Sequence, residues 1–348
     1  MKTSKLSLTA LSVIIFFIIS CGKKHTDTIT PVTGNGVFIT HEGEFTKANS
    51  SISYYNRTTG VVTNNIFTTV NGRPLGDVTQ SMTIYNSNGY IVVNNSQKIE
   101  VVEMNDFKSI GTITGFASPR YMLTLGSNKA YISDWNDNNI KIVNLSGLSI
   151  NSKTIPTGNS PEQLVQVNNV VYVANSGDST ITVINPSADT VITTIKTPDA
   201  PTAIRVDNNN MIWVLCSGSY GTDYNSTADD TPANLIKIDP ATNSIKLTIQ
   251  IGVQGDHPDR LAISQNKDAL FYDNNGIFTM SITATSGPSS ALITKDFYGL
   301  DVDPTTNIIY AADAGDFVNN GYVFRYKSTG QLIDSFQVGI VPAGFAFN

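Results

Sequence analysis

Sulfur chemistry is nearly missing from this chain. Its 348 residues include two cysteines, Cys21 and Cys216. A disulfide-stapled framework is therefore excluded. Cys216 ends an apolar run and reads as a buried, inert thiol. Histidine is equally scarce: His25, His41 and His257 show no zinc-motif spacing. Charged residues make up 14% of the chain, with 22 Lys and Arg against 28 Asp and Glu. A net charge of −6 without a basic run makes nucleic acid a poor partner, and none is expected. There is no Gly-x-Ser-x-Gly, no His-Glu-x-x-His and no P-loop. No catalytic residue is assigned, and the chain is not expected to be an enzyme.

Long apolar runs are confined to the N-terminus. Lys2 and Lys5 precede the run Leu6–Ile19, which is too short for an ordinary spanning helix. It ends in Ile18-Ile19-Ser20-Cys21 and is similar to the lipobox of bacterial lipoproteins. That resemblance implies a signal peptide over 1–20 and a lipidated Cys21, attaching the protein to a membrane through acyl chains. Residues 21–35 are polar and read as a flexible tether. The expected location is the outer membrane, lipid-anchored, with display at the cell surface; the periplasmic side stays open.

What the chain has in abundance is repetition. Gly-Tyr90-Ile-Val-Val-Asn, Ala-Tyr131-Ile-Ser-Asp, Val-Tyr172-Val-Ala-Asn and Ile-Trp213-Val-Leu-Cys place an aromatic residue every 41 positions. A period near 40 to 50 residues is that of a propeller blade. Phe38, Phe271 and Tyr310 complete a set of seven aromatic strands. Each unit divides into four short strands with period-2 alternation and Asn, Asp, Gly or Pro turns. The chain starts on an aromatic strand without an inner strand and finishes on Val341-Pro-Ala-Gly-Phe-Ala-Phe, an inner strand without a following unit. The expected fold is all-β: residues 36–348 form a seven-bladed β-propeller of four-stranded antiparallel blades. The C-terminal strand joins the first blade and closes the ring. The repeated aromatics read as packing between blades.

In this strand order, the loops entering inner strands and those leaving aromatic strands share one face. The long insertions lie there, at Glu42–Ser50, Val70–Gln80, Ser217–Ala233 and Gly252–Arg260. Long loops on a rigid scaffold are where binding resides. The candidate ligand-binding residues are His41, Glu42, Arg73, Gln80, Arg120, Tyr121, Trp135, Tyr220, Tyr224 and Arg260. Trp135 stands where other units have Asn, Ser or Ala. It reads either as a platform for a ligand ring or as a side chain packed under a neighbouring loop. Tyr220 and Tyr224 lie in a Gly/Ser-rich insertion whose composition suits a binding loop. Arg120 and Arg260 follow turn prolines and suit an anionic or amide-rich ligand, or plain surface charge. No cofactor and no metal site are assigned; the oxygen-rich loops at Asp134 and Asp313 leave Ca²⁺ open.

The phrases Val-Tyr172-Val-Ala-Asn-Ser-Gly-Asp-Ser-Thr-Ile-Thr-Val-Ile-Asn and Leu235-Ile-Lys-Ile-Asp-Pro-Ala-Thr-Asn resemble the YncE-like seven-bladed propellers. Leu75-Gly-Asp-Val-Thr-Gln-Ser-Met, Ser118-Pro-Arg-Tyr and Trp213-Val-Leu-Cys are similar to propeller lipoproteins of Bacteroides-type bacteria, among them surface cobalamin-binding proteins. The resemblance implies a protein that captures a corrinoid, held as ligand and not as cofactor, and hands it to a TonB-dependent outer-membrane transporter. A protein- or glycan-binding scaffold is the alternative reading, and a propeller lactonase or lyase the third.

Overall fold

The computed structural model describes residues 34–348; the leader, Cys21 and the tether up to Thr33 lie outside the described residues. The described chain is an all-β ring of seven blades. Blade 1 joins the C-terminal strand Pro342–Phe347 to Gly36–His41, Ser51–Asn56 and Val62–Thr63. Blades 2 to 5 follow as residues 79–114, 119–156, 161–196 and 201–250, each with four antiparallel strands. Blade 6 has three strands within 261–281, and blade 7 has four within 299–340. In blade 6 the outer position is held by one isolated bridge, Ile277 to Ile293. No helix among the described residues is long and apolar enough to cross a membrane.

Burial falls from the second strand of a blade outwards. Val170–Asn175 is buried along all but its first residue, while Thr190–Lys196 at the rim buries only Ile195. Strands covered on both faces carry near-continuous apolar runs, whereas a rim strand needs only one apolar contact. The hairpins are closed by residues that tolerate left-handed backbone. Asn168 and Asn169, with φ of 49° and 60°, form a two-residue turn of the primed type that matches strand twist.

The apolar core is divided into seven clusters, one at each junction between neighbouring blades. The repeated aromatics sit in them, as expected: Phe38, Tyr131, Tyr172, Trp213 and Tyr310 are fully buried. The polar atoms of Tyr131, Tyr172 and Trp213 reach fixed partners, whereas the Tyr310 hydroxyl has none among the described residues. The Tyr172 hydroxyl donates to Asn243 Oδ1 at 2.7 Å in the lower turn of blade 5, and Tyr131 makes the matching bond to Asp189 in blade 4. Trp213 Nε1 donates to Asp207 at 3.0 Å. Each ring fills a seam, and Tyr131 and Tyr172 also tie their blade to the next one.

One element breaks the repeat. The helix Ile66–Asn71 follows the first blade and buries Ile66 and Phe67 in the junction of blades 1 and 2. It is six residues long and ends on Gly72 in the left-handed region.

Candidate binding site

Each inner strand begins at the upper end of the ring, where the second strand of the same blade ends. A repeated backbone bond ties the two together. Trp135 N–H donates to Ser118, Ser176 to Ser160 and Ser217 to Ala200, at 2.8 to 2.9 Å. The bend this requires puts Val78, Ser160, Ala200 and Val341 at φ between 52° and 58°. Non-glycine residues rarely occupy this region. The upper loops are thus held by the repeat itself, and their side chains project from fixed positions.

All seven inner strands line a central channel with a volume of about 630 Å³. Arg205 points across it. Its Nη1 is fixed by Gln163 Oε1 at 2.6 Å, and its Nη2 lies 4.0 Å from Asp301 on blade 7. Burial raises the Asp301 carboxyl above the usual carboxylate range.

A polar network floors the upper mouth of this channel. Arg120 forks onto both oxygens of Glu162 at 2.9 to 3.1 Å and donates to Gln80 Oε1 at 2.5 Å. Gln80 donates in turn to the Tyr121 hydroxyl at 3.3 Å. On the far side, Arg260 donates to the Tyr298 carbonyl and pairs with Asp259, and the Tyr298 hydroxyl donates to Glu42 at 3.0 Å. Burial raises the carboxyls of Glu42 and Glu162, and the facing arginines only partly offset it. The net effect is a tightly bonded floor that sets two arginines among three carboxyl groups.

Above this floor lies a second cavity, a cleft of about 480 Å³ over blades 3 to 6. Trp135 and Tyr220 form two of its walls, and both rings are exposed, at 37% and 46%. Trp135 Nε1 donates to Ser176 Oγ at 3.2 Å, and the Arg120 guanidinium lies over the indole at 5.1 Å. Tyr220 stacks on His257 with centroids 3.7 Å apart and leans on Tyr224 at 4.9 Å. His257 has no free nitrogen: Nδ1 meets the Ser217 carbonyl at 3.1 Å and Nε2 meets Asp230 at 3.0 Å. Ser176, Ser179 and Ser219 add hydroxyls, and Glu162, Asp178, Asp199 and Asp259 add carboxylates.

The structure separates the sequence-predicted residues into three groups. Trp135 and Tyr220 line the cleft, with Tyr224 beside them at the loop tip. Glu42, Gln80, Arg120, Tyr121 and Arg260 form the floor between cleft and channel. His41 and Arg73 stand apart. His41 is fully buried, held by Ser51 Oγ at 2.9 Å and by the Gly339 amide. Arg73 follows the inserted helix to the rim of blade 2, where it pairs with Glu100 at 2.7 Å and bonds Ser109. Neither belongs to the upper-face site, so both placements are corrected: the strand pairing draws His41 inward, and the helix carries Arg73 outward.

The oxygen-rich loops are also occupied. Asp134 accepts the amides of Ala117 and Ser118, and Asp313 pairs with Lys295 at 2.8 Å. Among the described residues, no group of three or more His, Cys, Asp or Glu is placed to hold a metal ion. Sequence reasoning missed Glu162, Asp178, Asp199, His257, Asp259 and Tyr298. A signal existed for Glu162. It follows Pro161 as Arg120 follows Pro119, so the repeat sets the two charges side by side on neighbouring blades.

The ring resembles several solved structures at low sequence identity. A quinonprotein alcohol dehydrogenase-like protein from Bacteroides thetaiotaomicron superimposes with a TM-score of 0.71 at 10% identity, covering 91% of this chain and 79% of that one. The periplasmic gluconolactonase of Pseudomonas aeruginosa gives 0.66 at 11% identity, covering 89% and 99%. Kuenenia stuttgartiensis hydrazine synthase gives 0.60 at 13% identity, covering 76% and 88%. At these identities the likeness shows the propeller fold alone. No curated protein matches the sequence. The family described as Domain of unknown function (DUF5074) matches residues 35–348, and the chain belongs to it.

Proposed function

We propose that the ring is a lipid-anchored binding protein of the outer membrane that holds a small polar ligand at its upper face. One observation carries this reading: two exposed aromatic rings, Trp135 and Tyr220, wall a single cleft of about 480 Å³ that hydroxyls and carboxylates also line. Aromatic rings on a rigid scaffold give contact area at little entropic cost, and the polar groups between them fix orientation. His257 offers no free nitrogen to a substrate proton, which favours binding over acid–base catalysis.

The likeness to YncE-like propeller lipoproteins names the first ligand to try, a corrinoid. Its macrocycle suits stacking on Trp135 and Tyr220, and its amides suit the serines between them. A ligand of that size lies across the cleft instead of inside it. The reading further requires a partner that removes the ligand, a TonB-dependent transporter. A glycan is the second reading, because aromatic walls with carboxylates and hydroxyls also suit sugars.

Calorimetric titration of the purified chain with cyanocobalamin tests the first reading. Binding is expected, with Trp135→Ala and Tyr220→Ala each weakening it by about tenfold, near 1.4 kcal/mol. The absence of binding rejects the corrinoid and moves glycan screening to first place.

A further inference from the structure

The walls of the upper cleft are unequal in charge. Four carboxylates line it, Glu162, Asp178, Asp199 and Asp259, and no Lys or Arg does. Two of the four are neutralised from outside, Glu162 by Arg120 and Asp259 by Arg260. The other two are not. Asp178 accepts from the amide and side chain of Asn159, at 2.6 and 3.0 Å. Asp199 accepts from Ser179 Oγ and Thr231 Oγ1, at 2.5 and 2.9 Å. All four donors are uncharged, and neither carboxylate has an ion-pair partner among the described residues. Behind the wall, Asp230 is buried; one of its oxygens meets His257 and the other has no hydrogen-bond partner.

Negative charge that the protein leaves uncompensated in a half-enclosed cleft favours a ligand that brings the opposite charge. The aromatic walls favour the same sign, because a cation is drawn to the face of an indole or phenol ring. The carboxylates are not grouped as a metal would need. We infer that the ligand group entering the cleft is an organic cation, an ammonium or guanidinium. It sits beside Asp178 and Asp199, with its adjoining ring or chain against Trp135 and Tyr220. The inference rests on the reading above, that the cleft is where the ligand binds.

The test uses two probes of nearly equal shape, benzylamine and benzyl alcohol, titrated into the full chain. The readout is tryptophan fluorescence. Trp213 is fully buried, so quenching by a bound probe reports Trp135. Benzylamine is expected to bind at least tenfold more tightly than benzyl alcohol. High salt should narrow the difference, and Asp199→Asn and Asp178→Asn should each shrink it several-fold. Equal affinity for the two probes overturns the cation and leaves the cleft as a binding site. Binding of cyanocobalamin with neither probe bound also overturns the cation and leaves the proposed function standing. No binding of any of the three overturns both. The comparison on the unaltered chain decides the matter even where an Asp variant folds poorly.

Discussion

His41 is the residue whose protonation the fold opposes most directly. The Gly339 amide donates to its Nε2, so Nδ1 carries the hydrogen and donates to Ser51. That is a neutral ring, and burial lowers its pKa from 6.5 to about 3. The unfolded chain takes up this proton near pH 6.5 while the folded ring refuses it. Stability is therefore lost as pH falls from about 6.5 towards 3, by up to roughly 4 to 5 kcal/mol from this one group. Melting temperatures measured from pH 7 to 4 should fall less steeply in His41→Gln than in the unaltered chain. Gly218 is a second sensitive position. It has φ of 79°, and a Cβ there would lie 2.1 Å from the Thr231 carbonyl oxygen. Gly218→Ala is expected to cost roughly 1 to 3 kcal/mol and to displace the loop that carries Tyr220. Thermal melting reads the first effect, and loss of ligand affinity reads the second.

Among the elements, blade 6 is the weak one. Its outer position is taken by irregular chain between Ser281 and Phe297, which meets the sheet at one bridge and through the Phe297 amide on Asp273. Hydrogen exchange over 283–292 should be faster than over the rim strand Thr190–Lys196, which makes a full ladder with its neighbour. Equal protection in the two segments would contradict this view of the blade. The strand plan was legible because Tyr90, Tyr131, Tyr172 and Trp213 mark a strict repeat and each is needed to fill a seam. The helix Ile66–Asn71 was not, because six residues carry too little periodicity and its N-terminal residue Asn65 makes no side-chain cap. The site was legible where a residue departs from the repeat, as Trp135 does. Asp178, Asp199 and Asp259 each look like turn residues in their own blade, and only the closed ring brings them to one cleft.

The whole molecule depends on its last strand. Pro342–Phe347 pairs with Gly36–His41, and the seam between blades 7 and 1 is reinforced from below. There Arg57 pairs with Asp303 at 2.8 Å, both nearly fully buried, and bonds the carbonyl of Asn348 at 2.7 Å. Removing one partner of a buried pair strands the other charge, so Arg57→Ala should destabilise the ring by about 3 to 5 kcal/mol in chemical denaturation. Deleting 342–348 leaves a strand edge and an apolar seam open and should yield aggregating protein. The same closure brings the two ends of the described chain together. Strand Gly36–His41 runs upwards, so the chain comes in at the bottom of the ring, and Asn348 ends there too, bonded to Gly36. Both ends of the described chain thus leave the ring on the face opposite the cleft, so a bulky group joined ahead of Gly36 should spare ligand capture, as titration of such a fusion would show.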